Sequence, residues 1–124
     1  MKAKILDQKA KALFKAWNHN HAELLNVISE IDETRSYLEL GYSFLWDYVT
    51  RELDMTPHQS HQFVSVTRKA KEVPILKEKV IQGEITLTKA ALIVSELKVE
   101  NQELWLAKAE TNTAREQNLR DKAG

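Results

Sequence analysis

The stretch GYSFLWDYVTRELDMTPHQSHQFVSVTRKAKEVP, residues 41–74, decides the fold, because it spells two helices joined by a turn too short to relax. Ser43 is the expected N-cap of the first, and Phe44, Leu45, Tyr48, Val49 and Leu53 recur at the spacing of one apolar helical face. That helix is expected to end near Leu53, with Asp54 and Met55 as the connection. Thr56 is placed to cap the next helix, and Pro57 falls at its first position, where a missing N–H costs nothing. Phe63, Val66, Thr67, Ala70 and Val73 then form an inward stripe, while His58, His61, Gln62, Ser65, Arg68, Lys69 and Glu72 lie mostly on the other side. Two helices in this arrangement, the second showing a polar, donor-rich face, are the outline of a helix-turn-helix. A plain helical hairpin in a bundle carries the same pattern, since its connections are equally short.

Downstream, Pro74 opens a short helix over 75–82 with Gly83 as its C-terminal cap. Thr86 or Thr88 starts a helix through Leu87, Ala90, Ala91, Ile93, Val94 and Leu97, so apolar that it is expected as the hub of the core. Leu104, Trp105 and Ala109 mark another helix, and Thr113 with Glu116 spells a capping box before a weak terminal helix and a frayed end at 120–124. Upstream, Tyr37 to Tyr42 breaks the helical pattern, with Gly41 available for a left-handed conformation.

Residues 3–17 read as an amphipathic helix with Ile5, Leu6, Ala10, Leu13, Phe14 and Trp17 along one side. Asn20 with Glu23 fits a cap that would open a second helix through Ala22, Leu24, Leu25, Val27, Ile28 and Ile31. The alternative is one unbroken helix of about 33 residues, about 50 Å long, which would overhang so small a globule and favour a homodimer. Trp17, Trp46 and Trp105 fall on apolar stripes and are expected in the core.

These segments add up to an all-α fold, a multi-helix bundle of about six to eight helices containing a helix-turn-helix-like pair. The chain is read as one helical domain, 1–124, with a long N-terminal helix or helix pair (1–36), the helix-turn-helix-like unit (43–73) and supporting helices (74–122). Its 124 residues suit one core, and 3 Gly and 2 Pro leave few turn formers. No apolar run is long enough to span a bilayer, and the N-terminus lacks a signal-peptide centre, so no membrane partner and a cytoplasmic location are expected. With no Cys, disulfides and thiolate metal sites are excluded.

The net charge is zero but unevenly laid out. Residues 1–15 carry five Lys against one Asp, residues 22–54 eight acids against two Arg, and residues 55–80 five bases against two acids. A basic face on the second helix of the central pair suits phosphate contact, while acidic and basic helices pairing inside one bundle explain the same layout.

Tyr37-Leu38-Glu39-Leu40-Gly41-Tyr42-Ser43, then Leu45, Tyr48-Val49, Arg51-Glu52-Leu53, Val73-Pro74 and Gly83-Glu84-Ile85-Thr86-Leu87-Thr88-Lys89 together resemble the helical domain that precedes the nuclease module in many bacterial HNH endonucleases. The resemblance covers roughly residues 22 to 118; more distantly, the chain looks like the helix-turn-helix core of ParB-type partition proteins. It implies a recognition role for the helix after Thr56. Relatives place more Arg in the middle of that helix, where this chain has Phe63-Val64-Ser65-Val66. An HNH site needs His, Asn or Asp residues on a ββα hairpin, whereas His19, His21, His58 and His61 all fall in helical segments. The chain is expected to stop where the nuclease module would begin, and to hold no catalytic residue, metal or cofactor; a full-length parent protein would be the nuclease. His58 and His61 are read as donors or stacking groups rather than zinc ligands, and the pairs Glu23/Glu30 and Asp32/Glu33 as solvated surface.

The expected function is binding of double-stranded DNA without cleavage, with His58, His61, Gln62, Ser65, Arg68, Lys69 and Lys71 as contact residues and Lys77 and Lys79 as further backbone anchors. The alternative is a protein-interaction or homodimerisation module built on the acidic segment and the first helix.

Overall fold

A computed structural model describes residues 2–111; the expected Thr113/Glu116 capping box and the frayed end at 120–124 lie outside them. The described chain is all-α, with seven α-helices and no strand: α1 (Lys2–Thr34), α2 (Ser36–Glu39), α3 (Leu45–Asp47), α4 (Pro57–Glu72), α5 (Pro74–Ile81), α6 (Leu87–Ile93) and α7 (Gln102–Thr111). A π-helical turn, Tyr48–Glu52, continues α3, and a 3-10 turn, Val99–Asn101, leads into α7.

The first helix is one unbroken rod of 33 residues, with no cap at Asn20. Asn is a poor helix interior residue by less than about 1 kcal/mol relative to Ala, and the packed residues beyond it outweigh that cost. Ala22, Leu25 and Ile28 are buried against the bundle, whereas every residue from Lys2 to Trp17 is exposed. Lys11, Phe14 and Lys15 still lie beside the turn after α5, so the rod runs past the globule over about its first nine residues, roughly 14 Å at 1.5 Å per residue.

The central pair forms as expected in its second half and differs in its first. Thr56 Oγ1 accepts from the Gln59 N–H at 3.2 Å while Gln59 Oε1 accepts from the Thr56 N–H at 3.0 Å, a reciprocal cap with Pro57 following it. Ser43 is not a cap: α3 begins after an extended Phe44, with no side-chain hydrogen bond. The wide turn then inserts an extra residue, since the Leu53 N–H reaches back to the Tyr48 carbonyl (3.3 Å) and the Met55 N–H to Val49 (3.1 Å). This shift keeps Tyr48 and Val49 inward but turns Leu53 out to solvent, while Phe44, in extended backbone ahead of α3, is exposed as well. Asp54, at φ 57°, reverses the chain into α4, a conformation that Asp tolerates better than most residues.

Helix α4 buries Ser60, Phe63, Val66, Thr67 and Ala70 and packs against α1, α3, α5 and α6. Helix α6 is capped by Thr86, whose Oγ1 accepts from the Lys89 N–H, and packs against α1, α4, α5 and α7 as the expected hub, though it ends at Ile93 rather than Leu97. Leu76, Ile93, Leu97, Val66 and Val73 are fully buried at this centre, each contributing about 1.5–3 kcal/mol. Gly41 (φ 93°) and Gly83 (φ 79°) end α2 and α5 in matching left-handed caps. In each, the next residue donates five back, Tyr42 to Tyr37 and Glu84 to Lys79.

Two of the three tryptophans depart from the expected core placement. Trp17 is 54% exposed, where α1 leaves the bundle, and Trp46 is 40% exposed, on the outer side of the short α3. Trp105 packs on the core edge, with the Lys108 ammonium 4.6 Å from its ring centroid.

Candidate nucleic-acid interface

Helical spacing sets His58, His61, Ser65, Arg68 and Glu72 in one line down the outer side of α4, each three or four residues from the next. His58, His61 and Arg68 are exposed; Ser65 in the line and Gln62 beside it are half-buried, and the Ser65 hydroxyl donates back to the Gln62 carbonyl at 3.3 Å. The fold thus brings five of the seven expected contact residues to a single outward surface. Lys69 and Lys71 sit on its two shoulders, and there the protein itself makes claims on the charge.

Asp32 departs from its expected place on the solvated surface. It is read as solvated surface, yet it is 4% exposed, on the stripe of α1 that carries Ala22, Leu25, Ile28 and Ser29 into the bundle. Position 32 continues that stripe by three- and four-residue steps, and this was the available signal. A carboxylate buried here needs cations, and α4 supplies two from residues one turn apart. Lys71 Nζ lies 2.5 Å from Asp32 Oδ2, and Arg68 Nε lies 3.8 Å from Oδ1. Both cations remain about half exposed, at 53% for Arg68 and 52% for Lys71. The acidic and basic segments therefore do pair inside the fold at this point, while the solvent-facing edges of both cations stay available to an anion.

Lys69 is not the free cation that its outward position suggested. Its side chain is 16% exposed, and its ammonium donates to Glu72 Oε2 and to the Leu97 carbonyl, each at 2.9 Å. The Leu97 carbonyl lies in the turn after α6, so Lys69 ties that turn to α4. Lys79 is likewise committed, at 2.7 Å from Glu84 Oε2 and 2.5 Å from Glu110 Oε1. Hydrogen bonds to Glu110 and then Glu84 push its pKa up to about 12. Lys77, in contrast, forms no ion pair among the described residues.

Aromatic side chains brace α4 from behind and in front. Behind α4, the Phe63 ring meets the His21 ring edge-on at 5.8 Å, and His21 meets Trp17 at 4.5 Å; burial lowers the His21 pKa. Before α4, the Tyr42 hydroxyl donates to Glu52 Oε2 at 2.7 Å, which raises the tyrosine pKa and fixes the loop to the π-helical turn.

Among the described residues, no three His, Cys, Asp or Glu side chains gather so as to hold a metal, and no helix is long and apolar enough to cross a membrane. A groove of about 470 Å³ opens between α1 and the α5–α6 turn, bounded by Lys11, Phe14, Lys15 and His19 on one side and Ile81, Gln82, Gly83, Ile85 and Thr86 on the other. No protein-family model, curated protein or solved structure matches this chain.

Proposed function

We infer that this chain is a DNA-binding helical module in which the outer line of α4 faces the duplex. The observation that carries the reading is a firmly capped helix, set by a tight bend after a preceding helix, whose outward line offers His58, His61, Gln62, Ser65 and Arg68. All five side chains can donate hydrogen bonds, which suits base edges and phosphates alike. Lys71 and Lys77 flank the line as backbone contacts, whereas Lys69 and Lys79 are structural. The reading assigns no cleavage step to these residues, and the resemblance to the domain preceding HNH nuclease modules points the same way.

The test is fluorescence anisotropy with labelled duplex DNA at two salt concentrations. Affinity is expected to fall with salt at a log-log slope of about −0.9 per phosphate contacted, and His61→Ala with Gln62→Ala is expected to weaken binding while the melting temperature holds. A salt-independent signal, or a double variant that binds unchanged, would overturn the reading.

A second reading, self-association, is favoured by a separate observation. The free half of α1 exposes Leu6 at 55%, Leu13 at 72%, Phe14 at 62% and Trp17 at 54%. Apolar side chains at such density on one rod indicate a partner surface.

A further inference from the structure

The exposed side of α1 carries a repeat distinct from the stripe that packs into the bundle. Leu6, Ala10, Leu13, Trp17, Asn20, Leu24, Val27 and Ile31 are spaced alternately by four and three residues, the heptad seam of a coiled coil. The packed stripe, through Ala22, Leu25, Ser29 and Asp32, lies on a neighbouring side of the same helix. Leu6, Ala10, Leu13, Trp17, Asn20 and Val27 are all exposed, while Leu24 and Ile31 are half-buried along the bundle's edge, so the seam is open from Leu6 to Asn20 and shares its C-terminal part with the core.

We propose that α1 pairs with α1 of a second copy of this chain as an antiparallel coiled coil, in the register that sets Leu13 of each copy against Trp17 of the other. This rests on the self-association reading and specifies its geometry. That register lays Ala10 against Asn20, Leu6 against Leu24 and Ala3 against Val27, each layer occurring twice by symmetry. The only polar seam residue thereby meets the small Ala10, which leaves its amide room to reach water.

Charge selects this direction. In the heptad frame, Lys2, Lys9, Ala16, Glu23 and Glu30 hold the same flanking position, and antiparallel pairing opposes each to its counterpart of the other copy. In the stated register Lys2 meets Glu30, Lys9 meets Glu23, and Ala16 meets Ala16 at the two-fold axis. Both charged pairs are attractive, and each occurs twice. Glu23 already holds His19 at 3.1 Å on its own helix and keeps a second oxygen for the incoming lysine. A parallel pair would instead stack the five lysines of residues 1–15 on their copies and crowd two globules against one end of the rod. Antiparallel pairing places the globules at opposite ends, each beside the basic overhang of the other.

The native chain has no Cys, which makes the register directly readable. Light scattering is expected to give twice the 14.3 kDa chain mass at working concentration. Ala10→Cys and Asn20→Cys, both at exposed positions, are then made separately. Mixed and mildly oxidised, they are expected to form the Ala10→Cys to Asn20→Cys heterodisulfide, with little homodisulfide from either alone. Lys9→Glu is expected to weaken association about tenfold, since two attractive pairs become repulsive, and adding Glu23→Lys is expected to restore it. A dimer that gives homodisulfides of each single variant overturns the antiparallel register and leaves self-association standing. A monomer at every concentration overturns both, and neither outcome bears on DNA binding by α4.

Discussion

Neutralising Asp32 should cost less than removing the two cations that serve it. In Asp32→Asn the side-chain volume is kept, and the groups left behind, Arg68 and Lys71, are half exposed and can turn to water. The loss is then that of two ion pairs whose cations are half solvated, about 1 kcal/mol. Arg68→Met with Lys71→Met removes the same contacts from the other side, but the group left behind is a carboxylate only 3% exposed. An uncompensated buried charge of this kind costs about 3–5 kcal/mol. Urea unfolding at neutral pH measures both, and the triple variant Asp32→Leu, Arg68→Met, Lys71→Met should recover most of the double variant's loss. The two cations also give the experiment a functional arm. Released from Asp32, Arg68 and Lys71 are free to neutralise phosphate, so Asp32→Asn should tighten DNA binding and steepen its salt slope by up to about 1.8, two contacts at about 0.9 each. Equal costs for Asp32→Asn and the double cation variant would refute the account of Asp32 as the buried anchor. An unaltered salt slope would refute the claim that these cations face the nucleic acid.

Lys69→Met should lower stability by about 1–2 kcal/mol through the lost bond to the Leu97 carbonyl, and leave DNA affinity of the folded protein unchanged; thermal melts and anisotropy separate the two. Thr56→Ala removes the reciprocal cap of α4 and should cost about 1 kcal/mol in denaturant unfolding. Gly83→Ala, at φ 79° with open space around its Cα, should cost about 1–2 kcal/mol from backbone strain alone, measured the same way. Burial holds the His21 pKa below its usual 6.5, so the unfolded chain binds that proton more tightly than the folded one. This component of stability is present above pH 6.5 and is lost as pH falls below it. His21→Phe should therefore lose less melting temperature than the native chain between about pH 7.5 and about pH 5.

Features that rest on neighbours within four or five residues are legible along the chain. The Thr56-Pro57 start of α4, its inward stripe from Phe63 to Val73, the left-handed ends at Gly41 and Gly83 and the Thr86 cap are all local, because a cap or a helical face is settled inside one or two turns. The all-α class and the outward line of His58, His61, Ser65 and Arg68 follow from the same periodicity. Other features depend on segments brought together by folding. Asn18 to His21 are near neutral for helix formation, and α1 runs through them because Ala22, Leu25 and Ile28 are held by the bundle. The extra residue in the turn after α3, which exposes Leu53, is set by packing and leaves no mark in the apolar spacing. The fate of each charge was the least legible, since Asp32 finds its cations 36 and 39 residues away and Lys69 its carbonyl 28 residues away. Whether a lysine meets solvent or is bound within the fold depends on the chain brought beside it, and no pattern along its own helix records that.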